Sequence, residues 1–349
     1  MALLQAHQRQ YLLRKNKIMT REELNQNIAF LFANGNPIGI KVFFVLDEDG
    51  ENVIRFADIS PQVATDLKAQ FSGYIQQRIA NNAELNYGSI TDADDSGNAA
   101  YHYNLDEHPA LLQPLFDVNE AEIFALQQDE EQPFENFSFN DDDLSKIKAF
   151  IICLGNEANK VVLYKKHYPI SLMRQGSYYG LVPSDTRLER FTDNVIKINE
   201  TVEFMLVNDA LIVLSLKTFQ NSFGYDQIIR NKAEENLLTI AATNLLEDIE
   251  QLRELTSELK YAKKIMSIRH HSPVLNIPFN DVKTFIQNHP KLKRRIKFNG
   301  DQSRIDLQTR TSKELFIKIL NDDFLKSELT QLLYDSLKKA AMDNNEEED

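Results

Sequence analysis

A run of 48 residues between Gly224 and Pro273 contains neither glycine nor proline, and it constrains the fold more than any other part of the chain. A seven-residue apolar repeat keeps one seam of a helix facing a partner helix. One unbroken helix over this run would be about 65–70 Å long. Two interpretations fit: a coiled coil that forms a homodimer, or two helices folded back as a hairpin within one domain. The residues of the repeat are Leu238, Leu245, Leu252, Leu259 and Met266.

Charge is distributed unevenly along the chain, although the total is only −13. Residues 1–145 carry 9 Lys and Arg against 24 Asp and Glu, whereas residues 146–342 carry 30 against 23. A basic half is typical of a nucleic-acid or other anionic partner. The acidic half would be repelled by DNA and by anionic lipid heads, so we expect it to face a protein partner.

The order of predicted elements indicates an α+β fold, with a small mixed N-terminal domain, then an antiparallel sheet, then a long helical region. The chain has two acidic runs, 129–131 and 141–143. Their like charges repel one another and the segment has few apolar side chains to bury, which is typical of a solvated linker. The chain is therefore expected to divide into an acidic mixed α/β domain (1–127), an acidic linker (128–145), a domain (146–342) with strands over 147–216 and helices over 217–342, and an acidic disordered tail (343–349).

Local signals predict individual elements. Strand-like residues at 39–46 and 53–56 flank a turn-forming run, which predicts a hairpin. Thr20 with Glu23 has the spacing of a capping box at the start of a helix, and so has Thr311 with Glu314.

Motifs of common catalytic sites are missing from the sequence. There is no phosphate-binding Gly-rich loop ending in Gly-Lys-Ser/Thr, no Gly-x-Ser-x-Gly and no His-Glu-x-x-His. The only cysteine, Cys153, lies between Ile152 and Leu154, which predicts a buried thiol rather than a nucleophile. A single cysteine also makes no internal disulfide and no multi-cysteine zinc site. We assign no cofactor and no metal.

One enzymatic alternative stays open. Asp209 in a predicted turn, followed by Ser215-x-Lys217, faintly resembles the carboxylate and lysine of restriction-type nucleases. Such a site needs a second carboxylate to hold magnesium, and Ser215 stands in its place. A magnesium-dependent nuclease with a degenerate site at Asp209 and Lys217 is therefore the main rival, and a structural adaptor is the second.

The strongest positive signal is a cluster of cations in residues 260–299, where ten Lys and Arg face Asp281 alone. Neutralising phosphates releases condensed counterions, which drives binding to DNA of any sequence. The cations point in several directions, which suits contact with the phosphate backbone better than base recognition. The residues expected to contact DNA are Lys263, Lys264, Arg269, Lys291, Lys293, Arg294, Arg295 and Lys297.

A family resemblance lies in patterned hydrophobic segments that run from Leu188-Glu-Arg-Phe191 through Val202-Glu-Phe-Met-Leu-Val207 to Thr218-Phe219-Gln220-Asn221-Ser222-Phe223-Gly224-Tyr225. With the late Leu332-Leu333-Tyr334, they resemble the KwaB family of the two-gene Kiwa anti-phage system, over roughly residues 146–340. The chain departs from the family at Gln220, where members usually carry glutamate.

The resemblance implies a bacterial defence protein that binds DNA with little sequence preference. Because the common catalytic motifs are missing, we expect it to act without catalysis, with the nuclease alternative left open. It implies a small multi-pass membrane protein of the same system, KwaA-like, as a partner at the inner membrane, where the pair hinders replication or transcription of phage DNA. No stretch of this chain approaches the roughly 18 continuous apolar residues that a membrane span needs. We therefore expect a cytoplasmic protein that is peripheral to the membrane through its partner.

Overall fold

The computed structural model confirms an α+β fold. The chain divides into two compact units, Met1–Gly224 (unit 1) and Tyr225–Asp349 (unit 2). None of the described helices is both long and apolar enough to cross a bilayer. The expected tail at 343–349 lies outside the described residues. The structure describes residues 19–33, 37–93, 97–105, 107–125, 133–139, 141–168, 172–173, 180–183, 188–191, 195–268, 273–326 and 333–335.

Unit 1 combines a large sheet with short helices and two small strand pairs. Its elements are α1 (Arg21–Ile28), β1 (Gly39–Glu48), β2 (Glu51–Ala57), α2 (Pro61–Ile75), β3 (Asn86–Ser89), β4 (Ala99–His102), α3 (Gln113–Glu120), β5 (Ile147–Gly155), β6 (Lys160–Lys166), β7 (Leu172–Met173), β8 (Gly180–Pro183), β9 (Leu188–Phe191), β10 (Val195–Ile196), β11 (Phe204–Val207), β12 (Ala210–Val213) and α4 (Leu216–Ser222).

Eight of these strands form one sheet in the order β2-β1-β5-β6-β11-β12-β4-β3, antiparallel except for the β3–β4 pair. In β5 every side chain but that of Lys148 is buried. Successive side chains of a strand point to opposite faces, so such burial requires cover on both faces. Leu24 of α1 and Phe71 of α2 belong to the core of one face. Against another part of the sheet, Phe219 of α4 packs edge-on to Phe204, with ring centroids 5.6 Å apart.

The acidic segment 128–145 does not divide the structure, because strands from either side of it pair in the same sheet. β1 runs antiparallel to β5. The described part of the segment also binds the edge strand, since the Phe137 amide donates to the Phe56 carbonyl at 2.7 Å. Two strands rich in β-branched and aromatic residues gain backbone hydrogen bonds and burial by pairing, and this outweighs the charge pattern. The compact units divide instead after Gly224.

Both local predictions for the first residues of unit 1 are confirmed. The Thr20 side chain accepts from the Glu23 amide at 3.1 Å, and the Glu23 carboxylate accepts from the Thr20 amide at 2.9 Å, which completes the capping box. The β1–β2 hairpin also forms, and Asp49 and Gly50 turn the chain with φ of 56° and 93°.

Unit 2 is mainly helical. Its elements are α5 (Tyr225–Ala242), α6 (Glu250–Arg253), α7 (Leu259–Met266), α8 (Phe279–Asn288), β13 (Lys297–Phe298), β14 (Ile305–Asp306), α9 (Arg310–Leu320), β15 (Phe324–Lys326) and β16 (Leu333–Asp335).

The run between Gly224 and Pro273 is not one helix. After α5 the chain turns at Asn244, which has a φ of 55°, and Leu246 then forms a β-bridge with Ile305. The repeat residues do not share one face, because Leu245, Leu252 and Met266 are buried whereas Leu238 is 60% exposed and Leu259 is partly exposed. Helix α7 packs on α5 within the unit. The hairpin interpretation is therefore the one that the structure adopts, and the five residues form no continuous seam.

A buried asparagine fastens α7 to α5. The Asn236 side-chain amide donates to the carbonyls of Ile265, Met266 and Ile268 at 2.8, 3.0 and 2.8 Å. The last carbonyls of a helix lack partners within the helix, so this amide satisfies them.

Candidate nucleic-acid interface

The segment that follows α8, residues 291–297, presents the densest cations of unit 2, and we call it the basic turn. The amides of Leu292 and Lys293 donate to the His289 carbonyl at 3.0 and 3.1 Å, and the Ile296 amide donates to the Leu292 carbonyl at 2.9 Å. This helical geometry puts Leu292 and Ile296, four residues apart, on one inward face. Their side chains are only 0% and 2% exposed, so apolar burial holds the turn in place.

The cations of the basic turn face solvent. Lys291, Lys293, Arg294, Arg295 and Lys297 are all exposed. Lys297 lies directly opposite Asp306 in the β13–β14 pair, and opposite charges in that position attract. Among the described residues, Lys293, Arg294 and Arg295 take part in no ion pair. These three consecutive cations are therefore the part of the turn that an external anion can reach at the lowest electrostatic cost.

Several cations elsewhere in unit 2 are paired with carboxylates. Arg253 binds Glu234 at 2.7 Å, Lys313 binds Glu254 at 2.8 Å and Arg310 binds Glu258 at 3.1 Å. The pKa of the Arg310 guanidinium is raised, with the Tyr261 hydroxyl as the first cause and Glu314 and Glu258 after it. A pair of opposite charges presents little net field to a distant phosphate, so these cations contribute less to binding than those of the basic turn.

Two further predicted contacts, Lys263 and Lys264, lie on α7. This helix buries Tyr261, Ala262 and Ile265, which leaves Lys264 exposed and Lys263 partly exposed. The predicted cations therefore lie in two places, on α7 and in the basic turn. Arg269, the remaining predicted contact, lies outside the described residues.

An aromatic cluster adjoins the basic turn. Phe285 on α8 and Phe324 on β15 both contact the ring of His289, with centroids 5.5 and 4.9 Å from it. His289 is only 5% exposed, whereas Phe285 is 38% exposed. The four-residue spacing of Phe285 and His289 was a usable sequence signal. Phe324 lies 35 positions beyond His289 in the chain, and no local pattern connects the two.

The two residues of the nuclease alternative lie at opposite ends of β12. Asp209 occupies the β11–β12 turn with a φ of 65°, and its carboxylate accepts from the Asn119 side chain at 2.9 Å. Lys217 lies in the first turn of α4, where Ser215 caps the helix by accepting from the Thr218 amide at 3.4 Å. Within the described ranges, no group of three or more His, Cys, Asp or Glu side chains is placed to hold a metal ion.

Burial perturbs several ionisable groups of unit 1. Burial raises the pKa of the Glu203 carboxyl and lowers the pKa of the Lys165 amine. Burial, with Lys165 adding repulsion, also lowers the pKa of the His167 imidazole. Glu203 accepts from the Lys166 amide at 2.7 Å, and Lys165 donates to the Thr201 carbonyl at 2.7 Å. These bonds tie neighbouring strands and loops together, which is a structural role.

Comparisons with known proteins agree with the resemblance in the sequence. The model of a family described as "Kiwa protein KwaB-like" matches residues 144–330, a range that includes the basic turn. The chain is also 24% identical over 328 residues to the Kiwa protein KwaB of Escherichia coli O55:H7 (strain RM12579 / EPEC), covering 93% of this chain and 100% of that protein. No solved structure matches.

Proposed function

The chain belongs to the Kiwa protein KwaB-like family, a family of anti-phage defence, and on that premise we propose that it is an effector that binds DNA through the phosphate backbone without catalysing a reaction. The basic turn makes the main contact and the lysines of α7 add to it. Binding of this kind has little sequence preference, because phosphates are the same at every base pair.

The observation that carries the proposal is the arrangement of Lys293, Arg294 and Arg295. They are exposed, the buried Leu292 and Ile296 hold their backbone outward, and no described carboxylate pairs with them. Arg253, Arg310 and Lys313 of the same unit are instead neutralised by carboxylates. Because its backbone is anchored and its cations are unpaired, this cluster breaks no ion pair when it meets a phosphate.

The partners follow from the charge pattern and the family. We propose that the acidic residues of the first half face a small multi-pass membrane protein, KwaA-like, which holds the chain at the inner membrane from the cytoplasmic side. DNA bound there is hindered in replication or transcription. We further propose that the chain acts as a homodimer, which would place two basic turns on one duplex and raise the affinity by avidity.

Charge reversal tests the site. The triple variant Lys293→Glu, Arg294→Glu, Arg295→Glu is expected to lose retardation of a 30-base-pair duplex while it keeps the melting temperature of the wild type. A control triple, Lys146→Glu, Lys148→Glu, Lys197→Glu, changes the net charge equally at exposed positions of unit 1 and is expected to retain binding. If both triples bind DNA like the wild type, the site assignment is wrong.

A further inference from the structure

Phe285 is the exposed member of the aromatic cluster. Phe285 is 38% exposed, whereas the neighbouring His289 is 5% exposed and Phe324 is partly buried. The Phe285 and Phe324 centroids are 6.3 Å apart. The other phenylalanines that interleave the cations are engaged differently, since Phe279 packs edge-on to Phe298 and the Lys283 amine lies 5.6 Å from the centre of the Phe298 ring.

Direct contacts connect this cluster to the basic turn. The Phe285 carbonyl accepts from the His289 amide at 3.0 Å, and the His289 ring nitrogen Nδ1 accepts from the Lys291 amide at 3.3 Å. The His289 carbonyl in turn accepts from the Lys293 amide. Phe285, which is partly exposed, and Lys293, the first of the unpaired cations, are therefore each one backbone hydrogen bond away from His289.

We propose that Phe285 stacks on an unpaired nucleobase while the basic turn holds the adjoining phosphates, so that this surface prefers single-stranded nucleic acid to a duplex. The inference rests on the proposed function, because it needs the basic turn to bind phosphate. Bases of a single strand offer a free π face, whereas bases of a duplex are already stacked on both sides. Every base has a π face, so stacking on Phe285 adds no sequence preference and is compatible with the proposed binding through phosphates.

A single strand fits this site better than an apolar protein surface does. The exposed ring stands next to cations, and a protein partner that covered the ring would have to desolvate them or supply carboxylates. A nucleotide offers a flat apolar base and an anion together. Single-strand sites combine a cationic groove with aromatic side chains in this way.

The chain has no tryptophan, so a substitution can report on the ring directly. In the variant Phe285→Trp, the new indole is the only one in the protein. Its fluorescence is expected to be quenched when a 20-nucleotide oligo(dT) stacks on it, and to change little with a 20-base-pair duplex. The matched control is Ile277→Trp, because Ile277 is 39% exposed but lies outside the aromatic cluster. Its fluorescence is expected to respond to neither ligand.

Affinity provides the second readout. Phe285→Leu keeps an apolar side chain at an exposed position, so it should fold. It is expected to weaken oligo(dT) binding roughly 5- to 150-fold, as measured by anisotropy, with duplex binding unchanged. Ile277→Ala removes a side chain of similar exposure and should change neither affinity.

Two results would overturn the inference, and they are distinguishable. If oligo(dT) binds with no quenching of Phe285→Trp and no loss in Phe285→Leu, stacking is wrong while the proposed function stands. If neither oligo(dT) nor duplex binds the wild type at low salt, the proposed function fails and the inference fails with it.

Discussion

Neutralising the three unpaired cations of the basic turn should change the salt dependence of DNA binding by a calculable amount. In the variant Lys293→Ala, Arg294→Ala, Arg295→Ala, three exposed charges are lost while the buried anchors Leu292 and Ile296 remain. Each phosphate contact contributes about 0.9 to the slope of log affinity against log salt, so three contacts contribute about 2.7. Between 50 and 200 mM salt, the affinity ratio of wild type to variant should therefore shrink about 40-fold.

The assay is fluorescence anisotropy of a labelled 30-base-pair duplex at four salt concentrations. The control triple Lys146→Ala, Lys148→Ala, Lys197→Ala removes the same charge from exposed positions of unit 1 and should leave the slope unchanged. Equal slopes for the wild type and the basic-turn variant would refute the reasoning, because they would show that these cations touch no phosphate.

Three further predictions concern stability. Asn236→Ala should lower the free energy of unfolding by about 1–3 kcal/mol, measured by urea titration, because three buried carbonyls lose a donor. The control Asn231→Ala, at an exposed position of the same helix, should change it by less than about 0.5 kcal/mol. Gly155→Ala should lower the free energy of unfolding by about 1–3 kcal/mol, since a Cβ there would clash with the Asn159 carbonyl oxygen. A Cβ at Gly88 meets nothing within 4 Å, so Gly88→Ala is the milder control. Equal losses for the two variants would contradict this reasoning. The pKa of His167 is lowered in the folded state, so the unfolded state binds the extra proton and stability is lost as pH falls below 6.5. His167→Gln should reduce that loss by at most about 1.4 kcal/mol per pH unit, measured by urea titration from pH 7 to 5; an unchanged pH profile would refute it.

Local patterns predicted local structure well. The capping box at Thr20 and Glu23 and the β1–β2 hairpin follow from residues that lie close together in the chain, and both are present. The capping box predicted at Thr311 and Glu314 is wrong, because Thr309 and Ser312 form the capping box of α9. Glu314, which the sequence assigned to the cap, accepts instead from the Tyr261 hydroxyl across the unit. The helix begins at Arg310, so Thr311 lies inside it and cannot act as its N-cap.

Patterns that depend on distant partners were not predictable. The heptad repeat predicted a seam between helices. Leu245 and Leu252 are instead buried in the core of unit 2. Likewise, charge alone placed a boundary at 128–145, whereas the pairing of β1 with β5 joins the two sides. Strand pairing between distant segments depends on a complementary edge, which no local charge pattern reveals.

The candidate site was predicted in outline. The sequence identified the basic turn as a cluster of cations, because their density is visible without any structure. It did not separate Lys293, Arg294 and Arg295 from Lys297, which lies opposite Asp306 of the neighbouring strand β14. The role of Phe285 was also open, since exposure of its ring depends on how α8 packs.

The most direct test of the central claim is binding of the wild-type chain to a fluorescent 30-base-pair duplex over a range of salt, with magnesium and then with a chelator. We predict binding that weakens steeply with salt, is the same with and without magnesium, and leaves the duplex intact. Magnesium-dependent cleavage would instead indicate a nuclease. No binding even at 50 mM salt would contradict the account and assign the basic turn to an acidic protein partner.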